Sequence, residues 1–157
     1  MEKSTEPPFT WKPATMDLVL MSIKPNYADA ILAGTKRWEF RRKSIRKMFY
    51  RSVLIYATAP VSKVVGQMYF EIEVCGNLNR VWDIVEKEAG LTLGECVRYY
   101  GDTEMAYAGR ISRAVPLNGP TLEKIRKGCH PDLGSRTWRP PQSWMEIKRA
   151  NPVFWGF

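Results

Sequence analysis

Gly34-Thr35-Lys36-Arg37-Trp38-Glu39-Phe40-Arg41-Arg42 sets a lysine, a glutamate and several arginines beside two large aromatics, directly after a glycine. A glycine that ends a helix and releases the chain into a charged strand is a place where a small fold mounts a polar cleft. Side chains alternate along a strand, so Trp38, Phe40 and Arg42 share one face and Arg37, Glu39 and Arg41 the other. Lys36 stands at the strand's mouth, where a turn can aim it toward either face. Glu39 and Arg41 on one face predict an ion pair in which the guanidinium keeps the carboxylate charged and oriented. Trp38 and Phe40, turned away from it, are assigned to the core. The same residues also suit a purely structural ion pair at the end of a sheet, and both readings stay open.

Working outward, Leu18–Ile23 reads as a mostly buried strand broken by Lys24-Pro25. Pro25 suits the first turn of a helix, and Tyr27, Ala30, Ile31 and Ala33 repeat at helical spacing up to Gly34. Downstream, Lys43–Arg51 is a basic loop or helical turn, and Val53–Ala57 is an apolar strand. From Val64 to Val74 apolar and polar residues alternate, which predicts a long antiparallel strand bent at Gly66. Asn79–Gly90 predicts an amphipathic helix, and Thr92 with Glu95 is a capping box for a second one through Tyr99. Glu104–Val115 reads as a further strand, with Gly109 as a bulge or point of close approach. A short helix enters at Pro120-Thr121, Gly128–Arg139 is irregular, and Pro140–Ile147 reads as a turn continuing into a helical turn. The aromatic terminus Pro152–Phe157 is expected to pack. Strands with short helices inserted between them, and no regular βαβ alternation, predict an α+β class with a mixed, partly closed sheet. Neither GxGxxG nor GxxxxGK[ST] occurs, which disfavours a doubly wound nucleotide-binding fold.

In 157 residues the simplest organisation is one domain over 17–157, behind a flexible arm, 1–16, that carries Pro7, Pro8 and Pro13. Lysine and arginine total 24 against 16 acids, a net charge of +8 that makes nucleic acid the first partner to consider. No protein partner is inferable. Cys75, Cys96 and Cys129 are an odd number at wide spacings, which fits reduced thiols rather than a disulfide framework. His130 is the only histidine, so neither a metal site nor any cofactor is expected. The chain shows no signal peptide and no apolar run long enough to cross a bilayer, and the expected location is cytoplasmic, without membrane contact.

Ser22-Ile23-Lys24-Pro25-x-Tyr27-Ala28, followed by Ile31-Leu32-x-Gly34-x-Lys36-x-x-Glu39-x-Arg41, resembles the opening of ASCH domains in the PUA-like superfamily. Tyr56-Ala57-Thr58-Ala59-Pro60 is similar to their next block, and Pro141-Gln142-Ser143 to a recurrent C-terminal one. The resemblance runs in order over about residues 17–150. It implies a small PUA-like β-barrel flanked by short helices, with a cleft lined by the signature residues. Relatives bind RNA or modified bases, some ASCH proteins cleave single-stranded RNA, and one branch deacetylates N4-acetylcytidine nucleosides with a lysine, a threonine and a glutamate. Lys36 matches that lysine, Glu39 stands where the threonine would be, and Glu88 lies near the glutamate.

The leading expectation is an RNA-binding domain that recognises single-stranded RNA or a modified nucleobase or nucleoside in a cleft of Lys36, Glu39 and Arg41. Lys24, Lys36, Arg41 and Arg42 would meet phosphates or base edges, and Tyr27, Tyr56 or Trp144 would stack on an unpaired base. Gln142 and Ser143, in a stiff loop after two prolines, would read a base edge or else cap a turn. The alternative is a metal-independent hydrolase in the same cleft, either a ribonuclease or an amidohydrolase acting on N4-acetylcytidine-like nucleosides. A ribonuclease would take Glu39 as base, Arg41 at the phosphate and Lys36 as acid.

Overall fold

The computed structural model describes residues 16–127 and 137–157. The expected arm, apart from Met16, lies outside the described residues, as do Cys129, His130 and most of the stretch read as irregular. One six-stranded sheet dominates, in the order β2-β5-β4-β3-β1-β6. Its strands are β1 (Met16–Ile23), β2 (Trp38–Arg41), β3 (Val53–Ala57), β4 (Lys63–Gly76), β5 (Ala106–Pro116) and β6 (Trp144–Ala150). β1 runs parallel to β3 and every other pair is antiparallel, so the sheet is mixed as expected.

The long strand β4 shapes the sheet. Its first half pairs with β3 and most of its length with β5, and register shifts at Ile55/Tyr56 and over Tyr69–Ile72 bend the ladder. The bend lets one sheet curl around two buried clusters. Val19, Met21, Ile23, Ile55, Met68, Phe70 and Ile111 pack under helix α1 (Pro25–Leu32) on one face. Leu18, Leu20, Leu54, Tyr56 and Val64 pack on the other, against α4 (Leu122–Arg126) and α5 (Pro152–Trp155). Trp155 is fully buried there, so the aromatic terminus packs as expected. A third cluster joins Trp38 and Phe40 to α2 (Leu78–Val85) and α3 (Leu93–Tyr100), which places both aromatics in the core.

Two of the expected elements change. Residues 144–150 form a strand rather than a helical turn, because they pair antiparallel with the free edge of β1, Met21 opposite Trp144 and Leu18 opposite Ile147. Their alternation is real, with Met145 and Ile147 in one cluster and Trp144 against the other, but seven residues hold too few periods to distinguish from a helix. The helix expected over 79–90 stops at Val85 and continues as a single 3-10 turn, Glu86–Glu88. The sheet is also not closed into a barrel by hydrogen bonds, since β2 and β6 are its two edges. Gly109 allows the close approach expected of it, because a Cβ there would lie 1.8 Å from Ile45 Cδ1. No helix among the described residues is long and apolar enough to cross a membrane.

Candidate nucleic-acid cleft

The signature strand β2 turns Glu39 and Arg41 toward the ends of β1 and β3, opposite the face where Trp38 and Phe40 meet α2 and α3. A cleft of about 1020 Å³ opens there. Ser22 and Ile23 of β1, the start of α1, Thr58 after β3, one side of α3 and the 141–144 stretch form its walls.

At its floor, Arg41 Nη2 lies 2.8 Å from Glu39 Oε1 and donates to the Ser22 carbonyl at 3.0 Å. Arg41 Nη1 donates to Ser143 Oγ at 3.3 Å. One guanidinium therefore ties β2 to β1 and to the loop before β6, across the seam that the backbone ladder leaves open. Glu39 and Arg41 are each 7% exposed, so their charges attract through a medium largely shielded from water, an attraction offset by the hydration both have lost. Arg41 Nε and Ser22 Oγ are buried here without a hydrogen-bond partner among the described residues.

Lys36 is more deeply held than its place at a strand mouth suggested, at 1% exposure. Its Nζ donates to the Trp38 carbonyl at 2.5 Å and the Ala89 carbonyl at 3.0 Å, and lies 3.9 Å from Glu39 Oε2. The rings of Phe40 and Tyr27 stand 4.7 Å and 5.5 Å from it. Burial pushes the ammonium's pKa down from the ordinary lysine value, with the Glu39 charge opposing that shift. The lysine is thus a desolvated cation behind Glu39, reaching the cleft from below.

The α3 wall was less legible. Tyr27 donates from its hydroxyl to Glu95 Oε1 at 2.9 Å, joining α1 to α3 across the cleft. Glu95 Oε2 accepts from the Thr92 backbone N–H at 2.7 Å, completing the capping box read from sequence. The bonds from Thr92 and then Tyr27 hold the Glu95 carboxyl below the usual carboxylate range. Burial, then the bond to Glu95, raises the Tyr27 hydroxyl. Burial also pushes the Cys96 thiol up to about 11.

Most residues expected at the site share this cleft: Lys24, Tyr27, Lys36, Glu39, Arg41, Arg42, Gln142, Ser143 and Trp144 all line it. Tyr56 does not. Its ring is 2% exposed and packed in the cluster on the opposite face of the sheet, so it offers no surface to a base. Glu88 lies outside the lining and pairs with Arg37 at 3.6 Å and Arg110 at 3.1 Å. Sequence reasoning missed Lys43, Leu91, Glu95, Arg98 and Tyr99 as wall residues. Arg98 and Tyr99 lie three and four residues after Glu95, the mark of one helix face, but that mark reads equally as a core face. Among the described residues no group of three or more His, Cys, Asp or Glu side chains is placed to hold a metal.

A family model for the ASCH domain matches residues 21–125. An ASCH domain-containing ribonuclease of Zymomonas mobilis subsp. mobilis is 34% identical over 122 residues, covering 76% of this chain and 82% of that one. The crystal structure of ASCH from Zymomonas mobilis superposes with a TM-score of 0.72 at 30% identity, covering 87% of this chain and 92% of that one. A serine-to-alanine mutant of the Zymomonas protein gives 0.76 at 28% identity over 87% and 92% of the two chains.

Proposed function

The chain belongs to the ASCH domain family, and on that footing we propose that its cleft binds single-stranded RNA and seats one unpaired base, ordinary or modified, over Glu39 and Arg41. The observation that carries this reading is a buried carboxylate–guanidinium pair at the floor of a cleft whose rim is cationic. Lys24, Arg42, Lys43 and Arg98 are all exposed on that rim, against two carboxylates in the whole lining, Glu39 and Glu95. Rim cations take phosphates, and the floor takes what phosphates cannot supply. Glu39 accepts from an N–H of a base edge, beside Arg41 Nε and Ser22 Oγ, two buried polar atoms of the floor without hydrogen-bond partners among the described residues. Tyr27 and Trp144 flank the opening, each with an apolar ring face for stacking. We read the curled sheet as a small barrel whose last seam is bridged by the Arg41 side chain in place of ladder bonds.

A second reading, cleavage of that RNA, is favoured by the relative named a ribonuclease, and the cleft's own residues supply a step that calls for no metal. Glu39 would take the 2′-hydroxyl proton as that oxygen attacks phosphorus, with Arg41 on the phosphoryl oxygens. The P–O5′ bond then breaks, and Lys36, its hold on the proton weakened by burial, protonates the leaving oxygen.

Fluorescence anisotropy of labelled single-stranded and duplex RNA in chelator tests the first reading. A preference for the single strand, with a log–log salt slope of about −3 for some four rim cations, supports it; equal or absent binding at low salt sinks it. The same mixtures on a denaturing gel, beside an N4-acetylcytidine arm, test turnover. A 2′,3′-cyclic phosphate product abolished by Glu39→Gln supports the ribonuclease, whereas intact RNA leaves a binding domain.

A further inference from the structure

The segment 43–51, before β3, contains Lys43, Arg46, Lys47 and Arg51 and no acidic residue, and the cleft uses only Lys43 of these. Its fold is tightly set from below. Glu73, with 1% of its side chain exposed, accepts from the Ile45 backbone N–H at 2.6 Å and from Ser44 Oγ at 3.0 Å, and lies 3.2 Å from Arg46 Nε. Ile45 and Met48 are fully buried, and Phe49 packs against the same cluster as Trp144.

On this anchored loop Tyr50 is turned outward. Its backbone lies at φ +60, a left-handed conformation that bulky L side chains adopt only under strain. Its ring is 92% exposed, while no other large apolar side chain among the described residues exceeds 68%. Among the described residues, the one aromatic ring set against it is that of Phe49, edge-on at 6.5 Å. A loop held rigid by a buried carboxylate thus presents a bare aromatic face in a strained conformation, and Lys47, three residues earlier in the same loop, is exposed and has no ion-pair partner among the described residues. Burial does not explain such an arrangement. A stacking platform beside a cation does, and its flanking charge selects a polyanion over a protein surface.

We propose that Tyr50 is a second RNA contact, on which a base of the strand leaving the cleft stacks while Lys43 and Lys47 follow its phosphates. This rests on the cleft being the RNA site and extends it. The β1–β3 register pairs Ser22, on the cleft floor, with Tyr56, and Val19 with Val53. The start of β3 therefore lies about 10 Å from that floor along the strand, with Tyr50 three residues before it, and Lys43 stands at the cleft end of the intervening segment.

Anisotropy with an oligouridylate trimer, which fills the cleft alone, and a dodecamer, which runs beyond it, tests this. Tyr50→Gly is expected to weaken dodecamer binding roughly tenfold, the effect of losing one base–aromatic stack, and to leave the trimer unchanged. Because glycine accepts the left-handed backbone, its thermal midpoint should hold or rise. Tyr50→Phe should bind both lengths as the parent does. A Tyr50→Gly protein that binds the dodecamer at parental affinity, or loses trimer and dodecamer alike, overturns the platform while leaving the cleft standing. Failure of the parent to bind either length overturns the cleft reading itself.

Discussion

The backbone of Gly90 lies directly on the stem of Lys36. A Cβ placed at Gly90 would sit 2.3 Å from Lys36 Cβ and 2.8 Å from its Cα, and Gly90 itself has φ +68. The turn after α2 is thereby the lid that keeps Lys36 beneath the cleft, with the neighbouring Ala89 carbonyl accepting from its ammonium.

Gly90→Ala therefore meets both a backbone conformation it resists and a collision with main-chain atoms. It should lower stability by about 1–3 kcal/mol and displace Lys36. Urea unfolding measures the first effect and RNA affinity the second. An alanine variant with parental stability and affinity would show that the turn does not seat the lysine.

Arg41 joins three elements through one side chain, so its loss should be felt as stability as well as binding. Arg41→Ala leaves Glu39 buried without its 2.8 Å partner, and should cost about 3–5 kcal/mol. Arg41→Lys restores a charge but cannot bridge Glu39, the Ser22 carbonyl and Ser143 together, and should fall between the two. Midpoints from urea titration rank the three proteins, and a lysine variant as stable as the parent would refute the three-way bridge.

Cys96 should resist alkylation in the native protein. Its thiol is 1% exposed and pushed up to about 11, so little thiolate exists at pH 8. Peptide mapping after iodoacetamide treatment should find Cys96 modified only in denaturant, while partly exposed Cys75 is modified in the native state. Native labelling of Cys96 at the rate of Cys75 contradicts its placement behind the cleft.

Glu146 should steepen acid unfolding. Bonds from Arg51 at 2.9 Å and Lys148 at 3.0 Å hold its carboxyl at about 2, below its ordinary 4.5. The unfolded chain then takes up the proton first. The contribution is complete above pH 4.5 and disappears as pH falls through 2. Glu146→Gln should flatten the stability curve in that window and leave the shape above pH 5 unchanged. An acid limb as steep as the parent's would assign the effect elsewhere.

What the sequence determined by itself was local. Alternation put Trp38 and Phe40 on one face of β2 and Glu39 and Arg41 on the other; the first two join the core with α2 and α3 and the second two line the cleft, although Phe40 reaches the cleft wall as well. The Thr92/Glu95 capping box was equally legible, because a cap is a contact between residues three apart. Tertiary structure decided what depends on partners distant in the chain. Strand β6 exists because β1 has a free edge, and Tyr56 is lost to the core because a helix more than sixty residues later covers its face. The cleft's far wall on α3 joins β2 only through folding, and Lys36 is buried because Gly90, from another turn of chain, closes over it. Periodicity reports which face of an element a residue occupies. Only packing decides whether that face meets core, cleft or water.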